Sequence, residues 1–501
     1  MKSSNKARSV LSAVALAALG LAGPASAVQL APDGMGQVLL YPYYTVRSNQ
    51  VIVFSIMHMW EGSKAVKVRF RESKLGKVVA DLNLYLDSND TWSVAIVPTA
   101  NGAALEVADG SCTVPIVAAS LGGTGSLPFS NNHYVGDSVG DDSLDRTREG
   151  YIEVIEMGPI QSGFSLGGTT LQAAISQIDP GVAANCAAVS AAWQAGVLPG
   201  QNSVSANTGR LAGSAHIINL AEGSDISYEP TVLDGWNDGV VPGGGALHTA
   251  PGADHPSLDQ ANPPTSHVFA THIVTEQGDA AAGPVITSQW SNGLDAVSAV
   301  LTSFYRSSDY IIDPTLLAGT DWVLTFPTKH LHMAKPDTKP FTNKLLDGKH
   351  CEEFEFYLTG AYSTAGWDRR RPFLGTIDLV PIYPHVHLCS QTSVVRFGTS
   401  QFSNVLGSTD VVTDMSASAD QYAAGWAQMA LLDWGTPSQS AAIMTDVSGN
   451  VSAPFVGTGW KYAGLPAIGF AAIRYRASDG TALASYGATT SFKNILGIAP
   501  H

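Results

Sequence analysis

The sharpest chemical motif in the chain is Gly163-Phe164-Ser165-Leu166-Gly167-Gly168, which fits the G-x-S-x-G pattern of a nucleophile elbow. In an elbow, a strand runs straight into a strained turn and the serine hydroxyl stands exposed where a helix begins. Here the strand-like residues end near Met157, and Gly158-Pro159-Ile160-Gln161-Ser162 separate them from the turn. The surrounding chain also lacks the alternation of strands and helices on which the hydrolase fold depends. Ser165 is thus the candidate nucleophile of one reading, an exported hydrolase, and a plain Gly/Ser loop residue in the other.

Histidines supply the next candidates. His330-Leu331-His332 and His385-Val386-His387 each set two imidazoles two residues apart. On a strand, alternate residues share a face, so each pair would offer two nitrogens to Zn²⁺ or Cu²⁺. His350, beside Cys351, would approach His387 if Cys351 bridges Cys389. No carboxylate is evidently placed as a third ligand, and solvated strand histidines need no metal. Asp137, Asp141, Asp142 and Asp145 crowd one loop, and Asp234-Gly235-Trp236-Asn237-Asp238-Gly239 forms another. Oxygen-rich loops suit Ca²⁺, the cofactor this composition would hold, although neither run has EF-hand spacing. Lys64, Lys67, Arg69, Arg71, Lys74 and Lys77 put six cations into fourteen residues. They read either as a basic ribbon for an acidic partner, a surface protein or polysaccharide, or as an edge strand kept from aggregating by its charges. Tyr41, Tyr43 and Tyr44 would stack on sugar rings or fill a β-core.

These residues need a scaffold, and the chain begins with an export signal. Lys2, Lys6 and Arg8 precede an apolar stretch, Val10 to Ala22, and Ala25-Ser26-Ala27 makes a small-residue cleavage site. The stretch is shorter than the roughly 20 residues of a spanning helix, and no later apolar run approaches that length. Cleavage after Ala27 removes three of the 27 Lys and Arg and none of the 42 Asp and Glu, taking the net charge from −15 to −18. That balance opposes nucleic-acid binding, which rests on neutralising phosphates. Charged residues are only 14% of the chain against 45% hydrophobic, too apolar for disorder. The four cysteines are even in number, as an oxidising compartment favours, and allow three pairings. Cys112–Cys186 and Cys351–Cys389 are preferred because each closes a loop within its own half.

Periodicity predicts a mostly β protein. Residues 37–97 read as consecutive antiparallel strands of an Ig-like β-sandwich. In one of them Val66, Val68 and Phe70 face a core while Lys67, Arg69 and Arg71 face water. On that reading Val68→Asp abolishes folding and Arg69→Ser is nearly silent. Tyr151 to Met157 adds a strand, and Leu171, Ala174, Ile175, then Cys186, Val189 and Trp193, fall at helical spacing. Residues 222–296 are rich in Gly, Pro, Asp, Asn and His and show little periodicity. Strand signals resume at Asp321–Phe326, Phe354–Tyr357, Gly375–Pro381, Thr392–Phe397 and Gly425–Leu432. The expected organisation is a signal peptide over 1–27, an N-terminal β-sandwich over 28–160 and a helical insert over 161–221. An irregular Gly/Pro/Asp-rich segment over 222–300 and a C-terminal β-rich domain over 301–501 complete it.

Several segments carry a resemblance. They are Gly36 to Val46, Lys64 to Glu72, Leu82 to Leu86, Ser111 to Pro115, Arg146 to Gly158 and Thr320 to Lys329. Together they resemble a family of uncharacterised exported proteins of Gram-negative bacteria, across both halves but not near 160–300. Met57-His58-Met59-Trp60 departs from it, being bulkier than the polar turn of other members. The resemblance implies secretion and a β-rich scaffold and assigns no catalytic residue. The leading expectation is an exported non-enzymatic protein that binds or builds at the cell surface, in the matrix or in the periplasm. The alternatives are the Ser165 hydrolase and a metal-binding protein using the two histidine pairs.

Overall fold

A computed structural model describes residues 27–117, 125–178, 181–198, 202–269, 272–275, 278–281, 285–313, 317–342, 345–346, 349–360, 385–398, 404–409, 411–414, 424–431, 443–445, 460–476 and 485–500. The expected signal residues before Ala27 and the expected strand Gly375–Pro381 lie outside the described residues. Among the described residues the fold is mostly β, in several antiparallel sheets, as the periodicity predicts.

The first sheet has seven strands in the order Gln29–Leu30, Thr231–Asp234, Val38–Thr45, Glu149–Pro159, Lys64–Glu72, Val78–Leu86 and Cys112–Val114. The second has six: Ser224–Tyr228, Leu211–Asn219, Gln50–His58, Thr91–Pro98, Ala103–Val107 and Gly125–Pro128. One apolar core joins the two sheets, with Leu39, Tyr41, Val66, Val68, Phe70 and Leu82 on one side and Ile52, Phe54, Ile56, Trp92, Val94 and Ile96 on the other. The expectation that residues 37–97 pair in sequence order needs correction. Only Lys64–Glu72 with Val78–Leu86 forms a consecutive pair there, because the chain passes from sheet to sheet at Arg47, Gly62 and Asn89. Each crossing buries an apolar face that a flat meander would leave wet.

A third sheet includes Lys493–Pro500, Tyr305–Ile311, Ala424–Ala430, Glu352–Gly360 and His385–Leu388. A fourth is ordered Val412–Asp414, Thr392–Phe397, Gly319–Thr325, Ile468–Arg476 and Ser485–Ser491. Phe304, Tyr310, Trp322, Phe397, Met429 and Ala471 share the core of this pair. Val323, Val394, Phe470 and Ala472 of the fourth sheet belong to the core of the first pair, so the two halves are packed on one another.

The expected helices form at Leu171–Ile175 and Cys186–Gln194, capped by Thr170 and Asn185 side chains that accept from backbone amides three residues on. Both expected disulfides are present, Cys112–Cys186 and Cys351–Cys389. Residues 222–300 are less irregular than their composition implies. Strands Ser224–Tyr228 and Thr231–Asp234 complete the first two sheets, and the buried helix Gly293–Leu301 follows. Between them, residues 236–262 run over the outer face of the first sheet, and that cover accounts for the cations.

Candidate functional site

Lys67, Arg69 and Arg71 are buried, not solvated. Their strand is central, flanked by Glu149–Pro159 and Val78–Leu86, so neither the exposed ribbon nor the edge strand expected from sequence is present. Burial is tolerable because register sets carboxylates beside them: Glu153 and Asp81 stand directly opposite Arg69 on its two neighbours. Arg69 Nε donates to Asp81 at 3.0 Å, Arg71 Nε lies 2.7 Å from Glu153, and Lys67 Nζ lies 3.2 Å from Asp81. The covering segment supplies carbonyl acceptors. Lys67 donates to Ala250 O at 2.8 Å, and Arg69 donates to Ala253 O at 2.8 Å and Pro256 O at 3.1 Å. This layer is a structural seam. Lys64 pairs with Glu156 at 3.0 Å and Lys74 with Asp141 at 2.7 Å.

The aspartate loop is engaged in the same way. Asp137 lies 2.7 Å from Arg146 Nη2, Asp145 pairs with Arg47 and Arg148, and Asp142 accepts from the Gly136 amide. Burial raises the Asp141 carboxyl, but hydrogen bonds from Lys74 and Ser143 outweigh it and bring the pKa down to about 2. In the second acidic loop Trp236 and Asn237 are buried. Among the described residues no three His, Cys, Asp or Glu side chains gather as a metal site.

His330 and His332 do not lie on a strand as expected. Lys329–Met333 is a short helix after Pro327, which turns residues two apart to different sides. His332 Nε2 meets Ser298 Oγ at 2.8 Å, whereas His330 Nδ1 lies 3.2 Å from Gln391 Nε2. Desolvation, aided by Arg71, holds His330 well below the usual imidazole range, and desolvation with Lys335 takes His332 down to about 3. His385 and His387 do lie on a strand, His385–Leu388, with His387 half-buried. The side chains of His385 and His350 lie outside the described residues. Ser165 is exposed, and its Oγ accepts from the Gly167 amide at 3.2 Å. Tyr41, Tyr43 and Tyr44 are buried in the core.

Sequence reasoning missed a serine–histidine contact. Ser203 Oγ is 2.9 Å from His248 Nδ1, and His248 Nε2 is 2.9 Å from Tyr85 Oη, which accepts from Trp193 Nε1. Ser203, His248 and Tyr85 are all enclosed, and desolvation with nearby Lys67 takes His248 down to about 3. A neutral imidazole held from both nitrogens at this depth is a structural bridge, closed to substrate.

An open cleft lies elsewhere among the described residues. A cleft of about 1060 Å³ opens where the four sheets and the end of helix Gly293–Leu301 meet. Pro42 lines it from the first sheet, Tyr228 from the second, Arg306 and Asn494 from the third, and Phe470 and Ser491 from the fourth. Tyr228 stacks on Phe470 at 4.6 Å, and two exposed apolar side chains, Leu30 and Phe269, also line the cleft. Among the described residues Arg306 is its one strongly buried charge, with 5% of its surface exposed. Nη2 donates to the Ala467 carbonyl, Nε has no hydrogen-bond partner, and the guanidinium carbon sits 5.9 Å from the Phe492 ring centroid. Among the described residues no carboxylate pairs with it, whereas Arg69, Arg71, Arg146 and Arg474 each have one. Burial without a counter-charge pulls Arg306 down to about 9. Its strand, Tyr305–Ile311, reads Tyr-Arg-Ser-Ser-Asp-Tyr-Ile, and the lone arginine at an inward position was the available signal. No family model, curated protein or solved structure matches the chain.

Proposed function

We propose that this chain is an exported, non-enzymatic binding protein whose ligand enters the cleft lined by Arg306. The observation that carries the reading is a buried guanidinium, without a carboxylate among the described residues, lining a large open cleft. Concave clefts that set apolar walls beside convergent polar groups are where small molecules bind, and this one mixes Phe470, Phe492 and Leu496 with Arg306, Ser491 and Asn494. The hydrolase reading has less support: Ser165 is exposed on its loop, and the buried Ser203–His248 contact is sealed. Two disulfides favour an oxidising compartment, and the three-part N-terminus favours export to it. The resemblance to exported proteins of Gram-negative bacteria agrees with that route. No helix among the described residues is long and apolar enough to cross a membrane.

The test is native mass spectrometry of the protein recovered from the exported fraction of a Gram-negative host. The expected spectrum shows a chain beginning at Val28 with a non-covalent small-molecule adduct. The adduct should be absent from Ser491→Trp, which narrows the cleft at an exposed lining residue. An unprocessed chain, or adducts that are the same in both proteins, contradicts the reading.

A further inference from the structure

Given that reading, on which this inference rests, we propose that the cleft selects an amphipathic carboxylate: one anionic head on Arg306 and an aliphatic body along the apolar wall. The head is argued from charge. Arg306 brings a single positive charge, and its only hydrogen bond among the described residues runs from Nη2 to the Ala467 carbonyl. A guanidinium recognises a carboxylate through paired, charge-assisted hydrogen bonds, which are strongest where water is excluded. A lone cation offsets one negative charge, so a monoanion fits better than a phosphate dianion. Ser303 and Asn494 also line the cleft, Asn494 directly opposite Arg306 on the adjoining strand, and both are residue types that suit a carboxylate site.

The body is argued from the walls. Leu301, Ile468, Phe470, Phe492 and Leu496 line the same space, and Phe492 lies under the guanidinium. A volume of about 1060 Å³ is at the upper end of small-ligand pockets, large enough for a chain of many methylenes. Each methylene moved out of water contributes about 0.8 kcal/mol, so the wall supplies affinity and Arg306 supplies selection. The net charge of −18 expected for the mature chain (24 Lys and Arg against 42 Asp and Glu) repels anions at long range, which places the discrimination at this buried cation.

Dodecanoate and dodecanol are the probes, titrated calorimetrically into the mature full-length protein below their aggregation limits. One dodecanoate should bind per chain, at least tenfold tighter than dodecanol. In Arg306→Met that preference should vanish, with dodecanoate binding at least tenfold weaker. Ser491→Trp should weaken both probes. The thermal midpoint of Arg306→Met should equal or exceed that of the native chain, because an uncompensated buried charge is removed; a merely structural arginine would give a lower one. Arg306→Gln provides the same comparison with a polar side chain. Equal binding of the two probes to the native chain, or a preference that survives in both Arg306 variants, overturns the carboxylate assignment. If Ser491→Trp still blocks both probes, the cleft reading stands without it. If neither probe binds, the assignment also fails, and the adduct measurement above judges the cleft independently.

Discussion

Arg69→Met removes a charge from the centre of the first sheet while keeping most of the volume of the side chain. The native guanidinium donates to Asp81, Ala253 O and Pro256 O, and its Nη1 lies 3.8 Å from Glu153. The substitution leaves two carbonyls of the covering segment without their donor. It does not orphan the carboxylates completely. Asp81 keeps Lys67 at 3.2 Å and the Gly252 amide at 2.7 Å, and Glu153 keeps Arg71 at 2.7 Å. Breaking a buried pair from one side costs about 3–5 kcal/mol, and the remaining partners put this case near the lower limit, about 3 kcal/mol. That is a large share of the 5–15 kcal/mol by which folded domains are typically stable. Urea unfolding at pH 7, followed by tryptophan fluorescence and circular dichroism together, measures it. Hydrogen exchange should accelerate in residues 248–257, which lose their anchor, before it does in the sheet. A loss below about 1 kcal/mol, with exchange in that segment unchanged, would refute the buried seam and restore the solvated face that alternation alone suggested.

Three further outcomes follow from particular groups. Asp321 is fully buried, and desolvation outweighs the Leu406 amide and the nearby arginines to push its carboxyl up to about 7 from 3.8. The folded chain therefore binds the extra proton between those values, so this group's contribution to stability falls as pH rises through that window. Asp321→Asn should be near neutral at pH 4 and stabilising at pH 8 by up to about 4 kcal/mol; equal effects at both pH values would refute the assignment. Cys112–Cys186 and Cys351–Cys389 close loops of 74 and 38 residues. Replacing either pair by alanines should cost about 4 kcal/mol in the loop-entropy model, and non-reducing peptide mapping should find only those two cross-links. Ser165→Ala should leave any hydrolytic signal of the protein unchanged, and a fluorophosphonate probe should not label Ser165. Stoichiometric labelling lost in the alanine variant would revive the hydrolase.

The parts of the molecule that were legible are those whose burial follows a simple period. Val66, Val68 and Phe70 lie in the core as alternation requires, and Cys112 and Cys186 meet because a helix begins at Cys186 beside the sheet edge. Alternation reports one face only. It made Arg69 look solvated because nothing in residues 236–262, aperiodic and rich in Gly and Pro, announces that they cover that face. The carboxylates that make burial tolerable, Asp81 and Glu153, were readable only once strand neighbours were known. The H-x-H pair at His330 failed as a strand signal because the short turn after Pro327 winds into a helix. Arg306 was missed for a related reason: a single inward arginine has no period, and its lack of a carboxylate is a property of three dimensions.

A crystal structure of the protein grown with dodecanoate decides whether Arg306 holds a carboxylate. One ligand is expected in the cleft, its carboxylate within about 3 Å of the Arg306 guanidinium and its chain along Phe470 and Phe492. Dodecanoate bound elsewhere, or an Arg306 side chain that pairs with a carboxylate of its own chain while the cleft stays empty, would contradict it.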